Sequence, residues 1–320
     1  MAHEVVKPEK WAGAALGLLE REIVLAGLVG RDSGADFVGA KNDTVNIKRP
    51  SMLSGTVEAL RDMDTRPDYA IVSESLNESS IAVTLDTHVY SAVDLSDAEL
   101  SLDITNFGVQ VLTPQIRSIA NRVEFMVGKK LNSLTPTVVT STDIAIARRT
   151  AIALRKRMNA NDVPASGRIL LVGVNVEEIF LTDPHFTRVD QSGTPSALRD
   201  AEIGRTAGFR VVVSNTIHPD RMVAFHPSAY TLVTRAPRMP EGAASGSSES
   251  YAGIAIRALK DYNSAVAKDR SFLSTYVGIG ETVDPVITRD ADGKPTLGDP
   301  TMLRAIAATV TLTEPVDPPA

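Results

Sequence analysis

The chain has 320 residues, 43% hydrophobic and 22% charged, with a net charge of −6 and no cysteine. A chain of this length holds one large or two ordinary domains, and the missing thiols exclude a disulfide framework and thiolate chemistry. Its apolar runs fall far short of the ~20 residues a membrane helix needs. Met1–Lys10 is too polar for a signal peptide, so synthesis in the cytosol is expected, and the acidic balance speaks against a dedicated nucleic-acid binder.

Residues 9–29 read as an amphipathic helix with Trp11, Ala15, Leu18, Leu25 and Val29 on one face. From Asn42 to Val93 the period changes to two, in 44–48, 70–72 and 81–86. The charged stretch between these strands describes a projecting hairpin, a structure only marginally stable alone. Ser96 can cap a short helix within 95–108. A long helix follows over 106–134, with Val109, Leu112, Ile116, Ile119, Val123, Met126, Val127, Leu131 and Leu134 at spacings of three and four. It would be about 40 Å long. Pro114 falls in its first turns, where a missing N–H costs least.

After a loop at Thr135-Pro136, residues 143–159 form a second amphipathic helix. Apolar strands at 168–172, 209–213 and 222–225 alternate with a helix at 174–181, which predicts a sheet buried on both faces. Residues 236–250 are a Pro/Gly/Ser-rich loop. Strands return at 255–259, 276–279 and 307–312, with a turn signal at Asp290-Ala291-Asp292-Gly293 and a Pro-rich tail.

No short chemical motif stands out. There is no G-x-x-x-x-G-K-[ST], no G-x-G-x-x-G after a strand, no G-x-S-x-G elbow and no H-E-x-x-H. His3, His88, His185, His218 and His226 have no metal spacing, and His218 and His226 precede prolines at strand ends. Asp290-x-Asp292-Gly293 lacks the remaining ligands of a calcium loop. Two other classes remain as alternatives: an α/β enzyme binding a nucleotide at the Gly173 strand-to-helix junction, and a nucleic-acid binder using Arg148, Arg149, Arg155, Lys156 and Arg157. The expected sets of catalytic, cofactor and metal residues are empty.

The order of elements, an N-terminal arm, a long hairpin, a long helix and an α/β unit, resembles the major capsid proteins of tailed bacteriophages, the Hong Kong 97-type fold. The phrases LEREIVLAGLVGRD (19–32), FVGAKNDTVNIKRP (37–50), HVYSAVDLSDAELSLDITNFGVQVLTPQ (88–115) and EIGRTAGFRVVVSNTI (202–217) look like its actinobacteriophage branch. The resemblance implies an α+β chain with an N-terminal arm at 1–42 and an extended β-hairpin loop at 43–93. A peripheral domain with the spine helix would take 94–139 and 251–320, and an axial α/β domain 140–250. It further implies a coat protein that self-assembles as hexamers and pentamers into an icosahedral virion shell, put together in the host cytoplasm. The partners would be a portal, packaged double-stranded DNA and a separate scaffolding protein, with room for a decoration protein and none for a membrane. Trp11, Leu18 and Leu25 of the arm, and Arg61, Asp62, Asp64 and Arg66 at the hairpin tip, would touch neighbouring subunits. Lysine–asparagine cross-links of the kind some relatives form are not expected, because no lysine occurs between Lys48 and Lys129. The guanidinium of Arg61 or Arg66 cannot serve as the nucleophile.

Overall fold

The computed structural model of the chain describes residues 13–19, 23–32, 44–49, 79–96, 107–183, 204–241, 245–251, 253–263, 268–289 and 295–313. Four helices and sixteen strands lie within them. A short helix over 13–19 (α1) leads to a 3-10 turn at Leu25–Gly27 and strand β1 (Gly30–Asp32). The continuous helix expected to residue 29 is thus corrected. The backbone at 24–26 is held by a distant carboxylate, and the chain then pairs in parallel with a strand, which a helix would prevent.

β2 (Thr44–Arg49) and β3 (Ser79–Thr84) form the base of the expected hairpin. Its tip and the strand expected at 70–72 lie outside the described residues. β4 (Thr87–Leu95) does not continue that hairpin; it joins the first large sheet. The long helix is present as α2 (Thr113–Asn132), entered through a π-helical turn at Gly108–Leu112. Pro114 has no N–H to donate and crowds the carbonyl four residues earlier, so the turn before it widens. Ile116, Ile119, Ala120, Val123, Val127 and Leu131 are buried along one stripe. Val109, expected on that stripe, is exposed because it lies in the widened turn.

Two six-stranded sheets organise the molecule. The first has the order β1, β10 (Tyr230–Arg235), β13 (Lys268–Glu281), β12 (Ile254–Asn263) and β11 (Ser245–Tyr251), with β4 on the other edge of β13. The second has the order β5 (Pro136–Ser141), β16 (Ala305–Leu312), β9 (Arg221–Phe225), β6 (Ile169–Val172), β8 (Phe209–Val213) and β7 (Arg205–Thr206). β5 is parallel to β16 and β6 to β8, while β9 runs antiparallel to both β6 and β16. β14 (Asp284–Arg289) and β15 (Pro295–Thr301) form a separate hairpin around the Asp290–Gly293 turn signal.

The sheets cut across the segment boundaries expected from the sequence. β16, placed there with the peripheral segment, is the second strand of the second sheet, and β10 and β11, placed with the axial segment, belong to the first. The loop expected over 236–250 contains β11, whose serine-rich backbone pairs along seven residues of β12. Backbone pairing needs no apolar side chains on an edge strand, so composition alone hid it.

The core has two parts that share a wall. Leu170, Val172, Met222, Ala224, Ala308 and Val310 face α3 (Ile146–Ala160) and α4 (Val174–Thr182) in one cluster. The alternate residues Ile169, Leu171, Val223, Phe225, Ala305 and Ala307 face the other way, into the cluster built on α2, the arm and the first sheet. Side-chain alternation along a strand puts successive residues on opposite faces, so this sheet is buried on both.

Candidate functional site

One polar side chain ties the described arm to α2. Glu124 projects from the buried stripe of α2 and is only 9% exposed. Its Oε1 accepts from the backbone N–H groups of Val24 (2.9 Å) and Ala26 (3.0 Å), and its Oε2 from Leu25 (2.7 Å). These are the amides at the start of the 3-10 turn, which lack partners inside the turn and have no cap of their own. Ala15, Leu16, Leu19, Ile23, Leu25, Ala26, Leu28 and Val29 are buried around that contact. Sequence reading missed Glu124. The available signal was a lone acid inside an otherwise apolar helical stripe.

Among the residues expected to touch neighbours, Trp11, Arg61, Asp62, Asp64 and Arg66 lie outside the described residues. Leu18 is half-buried against the core. Leu25 is 2% exposed in this chain's own core, so it offers no surface to a second subunit in this conformation. The described stretches 15–19 and 23–29 of the arm are packed into this chain's own core.

The hairpin base is seated on the first sheet by two glycines of β13. A Cβ at Gly278 would stand 2.4 Å from the Thr84 carbonyl oxygen, and one at Gly280 2.3 Å from the Val83 side chain. Beside that seat the same sheet face carries His88, Tyr90, Phe272 and Tyr276. Tyr90 stacks on Phe272 at 5.6 Å and His88 meets Tyr276 edge-on at 5.0 Å. Arg257 lies 5.7 Å over the Phe272 ring. Burial, then the Arg257 charge, holds the His88 imidazole below its usual pKa. An open groove of about 890 Å³ runs between β4 and α2, lined by His88, Tyr90, Arg122, Phe125, Met126 and Lys129.

The Gly173 junction has no room for a phosphate. A Cβ there would stand 2.3 Å from the Pro219 carbonyl oxygen and 2.4 Å from that of His218. The Asn175 and Val176 amides at the start of α4 donate to Pro219, and the Gly173 amide to Arg221. The anion-binding amides of a helix N-terminus are therefore already used. The four arginines in the basic run of α3 are also engaged within the chain. Arg148 bonds Asp183 and Arg149 pairs with Asp143, while Arg155 donates to the Ala207 carbonyl and Arg157 to Thr137. No group of His, Asp and Glu among the described residues is arranged to hold a metal ion, and no described helix is long and apolar enough to cross a membrane.

No family model matches the chain, and no curated protein matches it. Solved structures do. The chain is similar to one from Mycobacterium phage Che8 at 20% identity, covering 92% of both chains with a TM-score of 0.57. It is similar to one in the capsid structure of Cyanophage P-SCSP1u at 10% identity, covering 89% of this chain and 87% of that one, with a TM-score of 0.58. A third likeness is to the mature capsid of bacteriophage PhiM1, at 14% identity over 90% and 87% of the two chains, with a TM-score of 0.56. The chain has the α+β fold of tailed-phage major capsid proteins, the Hong Kong 97-type capsid fold.

Proposed function

We propose that the chain is the major coat protein of a tailed phage. Copies associate as hexamers and pentamers and close an icosahedral head shell around packaged double-stranded DNA. The carrying observation is that the likeness to phage capsid chains spans 89% to 92% of this chain, so the whole architecture is shared and not one module of it. The role is structural and non-catalytic. The α/β nucleotide-binding alternative is not favoured, because its amides at Gly173, Asn175 and Val176 are occupied by the chain itself.

In this reading α2 and the first sheet form the peripheral body, and the second sheet with α3 and α4 forms the axial body. Trp11, Leu18 and the hairpin tip at Arg61, Asp62, Asp64 and Arg66 meet neighbouring subunits. Exposed ion pairs give only ~0.2–1 kcal/mol each, so strength comes from many repeated contacts. A separate scaffolding protein, a portal and a decoration protein are the other proposed partners. Assembly takes place in the host cytoplasm and the product is the virion capsid. Electron microscopy of the purified chain, alone and co-expressed with a scaffolding protein, tests the proposal. Rings of five or six copies, or closed shells, are expected in at least one arm. A monomer in both arms, hydrolysing a nucleotide in a way that a Gly173 substitution abolishes, would overturn it in favour of the enzyme.

A further inference from the structure

Three stretches of chain pass between the bodies built on the two large sheets: 133–135 after α2, 226–229 between β9 and β10, and 302–304 before β16. The first is gripped by Arg221, which donates to the carbonyls of Asn132 and Leu134. His226 stands where the other two meet. It follows β9 directly and opens the turn Pro227–Ala229 that leads into β10. Its own amide donates to the Arg304 carbonyl at 3.0 Å. Its Nδ1 accepts from the Ser228 amide at 3.2 Å and lies 2.8 Å from Ser228 Oγ. Arg304 Nη1 donates to that same Oγ at 2.5 Å, and its Nε and Nη2 hold the two oxygens of Asp284.

A guanidinium only donates, so Ser228 Oγ accepts from Arg304. The Ser228 amide also only donates, so the Nδ1 that accepts from it is bare, and the Ser228 hydroxyl hydrogen can turn to the same nitrogen. The ring proton sits on Nε2, which faces the Ser166–Gly167 turn, where the ring bonds the Ser166 backbone.

We propose that His226 is a proton-operated lock on this junction: the neutral ring ties the 226–229 and 302–304 crossings together, and protonation at Nδ1 releases them. The new N–H would strip the Ser228 amide of its acceptor. It would also turn the Ser228 hydroxyl hydrogen away from the ring. The added charge would sit beside Arg304 and Arg168. Asp284 balances Arg304, but among the described residues Arg168 is met by the Val163 and Pro164 carbonyls and the Asn159 side-chain oxygen and by no carboxylate. Burial, then Arg304, with Arg168 adding to them, holds the His226 imidazole below its usual pKa against the opposing Ser166 bond.

The sign follows from linkage. The opened chain takes its proton near the ordinary ~6.5, and the closed one only at lower pH. The lock is therefore complete above ~6.5 and weakens as pH falls from there toward the lowered value. The 15N spectrum of the histidine rings of the full chain, read with amide exchange at Ser228, Ala229 and Thr282, tests this. At pH 7.5 the His226 ring should be neutral with its proton on Nε2. From pH 6.5 to 5.5 the exchange, corrected for its intrinsic pH dependence, should rise several-fold, up to about tenfold per unit. His226→Asn keeps an oxygen able to cap the Ser228 amide and does not titrate, so its corrected exchange should stay flat. His88→Gln, which removes the other depressed imidazole, should leave the rise in place. A ring protonated on both nitrogens at pH 7.5, or on Nδ1 alone, would overturn the proposal even if the Asn variant failed to fold. So would a corrected rate independent of pH, or a rise that persists in His226→Asn.

Discussion

Replacing Glu124 with glutamine removes one charge and turns one acceptor oxygen into a donor, with almost no change of shape. Placed in its better orientation, the amide oxygen still accepts from Val24 and Ala26, and the NH2 group then faces the Leu25 N–H. Two charge-assisted bonds become neutral ones, a loss of about 1 kcal/mol each, and one buried N–H is stranded at a cost of about 1–3 kcal/mol. The sum is about 3–5 kcal/mol against the docked arm. Each 1.36 kcal/mol is a factor of ten, so exchange of the Val24, Leu25 and Ala26 amides should accelerate by roughly two to four decades. A residue on an exposed helix face, Glu178→Gln, provides the control and should leave those rates unchanged. An acceleration below about tenfold in Glu124→Gln would refute the claim that this carboxylate secures the arm, and would leave apolar burial as the sole tie.

Gly278→Ala should unseat the hairpin base, because its Cβ cannot coexist with a carbonyl oxygen at 2.4 Å. We expect a destabilisation of about 1–3 kcal/mol in urea unfolding, together with new protease cleavage near β3; unchanged cleavage would count against the seat. Leu170→Ala and Leu171→Ala each open a cavity at a fully buried site and should each cost about 2–5 kcal/mol. Their amide-exchange footprints should differ, with Leu170→Ala loosening α3 and α4 and Leu171→Ala loosening α2 and the crossings. Matching footprints would mean that the two core clusters are not separately cooperative. A boiled, denatured sample of assembled particles should give one band near the monomer mass, and a ladder retained in the wells would contradict the absence of cross-links.

The strongly periodic parts of the fold were legible because burial there is uninterrupted. α2 is buried along a single stripe, and β6 and β9 are buried on both faces, so every residue in those strands is apolar except Arg221, whose two terminal nitrogens bond the Asn132 and Leu134 carbonyls. The first large sheet was much less legible. β13 mixes Ser271, Ser274, Thr275, Gly278 and Gly280 with its apolar residues: the two serines bond the buried Gln115 and Arg257 side chains, Thr275 the Arg235 carbonyl, and the glycines admit the hairpin base. β10 escaped notice because it follows β9 after only a 3-10 turn, and β11 because serine pairs as well as valine when only the backbone is at stake. The arm and the hairpin base were legible in their order along the chain. The sequence could not show that Leu25 turns inward, because that depends on Glu124 a hundred residues away.

The shared wall between the two cores gives these observations a common cause. A sheet buried on both faces cannot shift relative to α2 without disturbing α3 and α4, because Leu170 and Leu171 are neighbours on one strand facing opposite clusters. Interiors packed to crystal-like density respond to strain by switching between discrete arrangements, not by deforming smoothly. Relative movement of the two bodies must therefore be taken up at the three crossings. There the chain has placed directional polar contacts beside its apolar packing: Arg221 on the carbonyls of Asn132 and Leu134, and the His226–Ser228–Arg304–Asp284 bonds on the other two. Apolar contacts tolerate sliding, whereas hydrogen bonds to buried groups are lost over fractions of an ångström. Polar crossings between apolar bodies thus confine any change of shape to the places where a single proton or a single side chain can decide it.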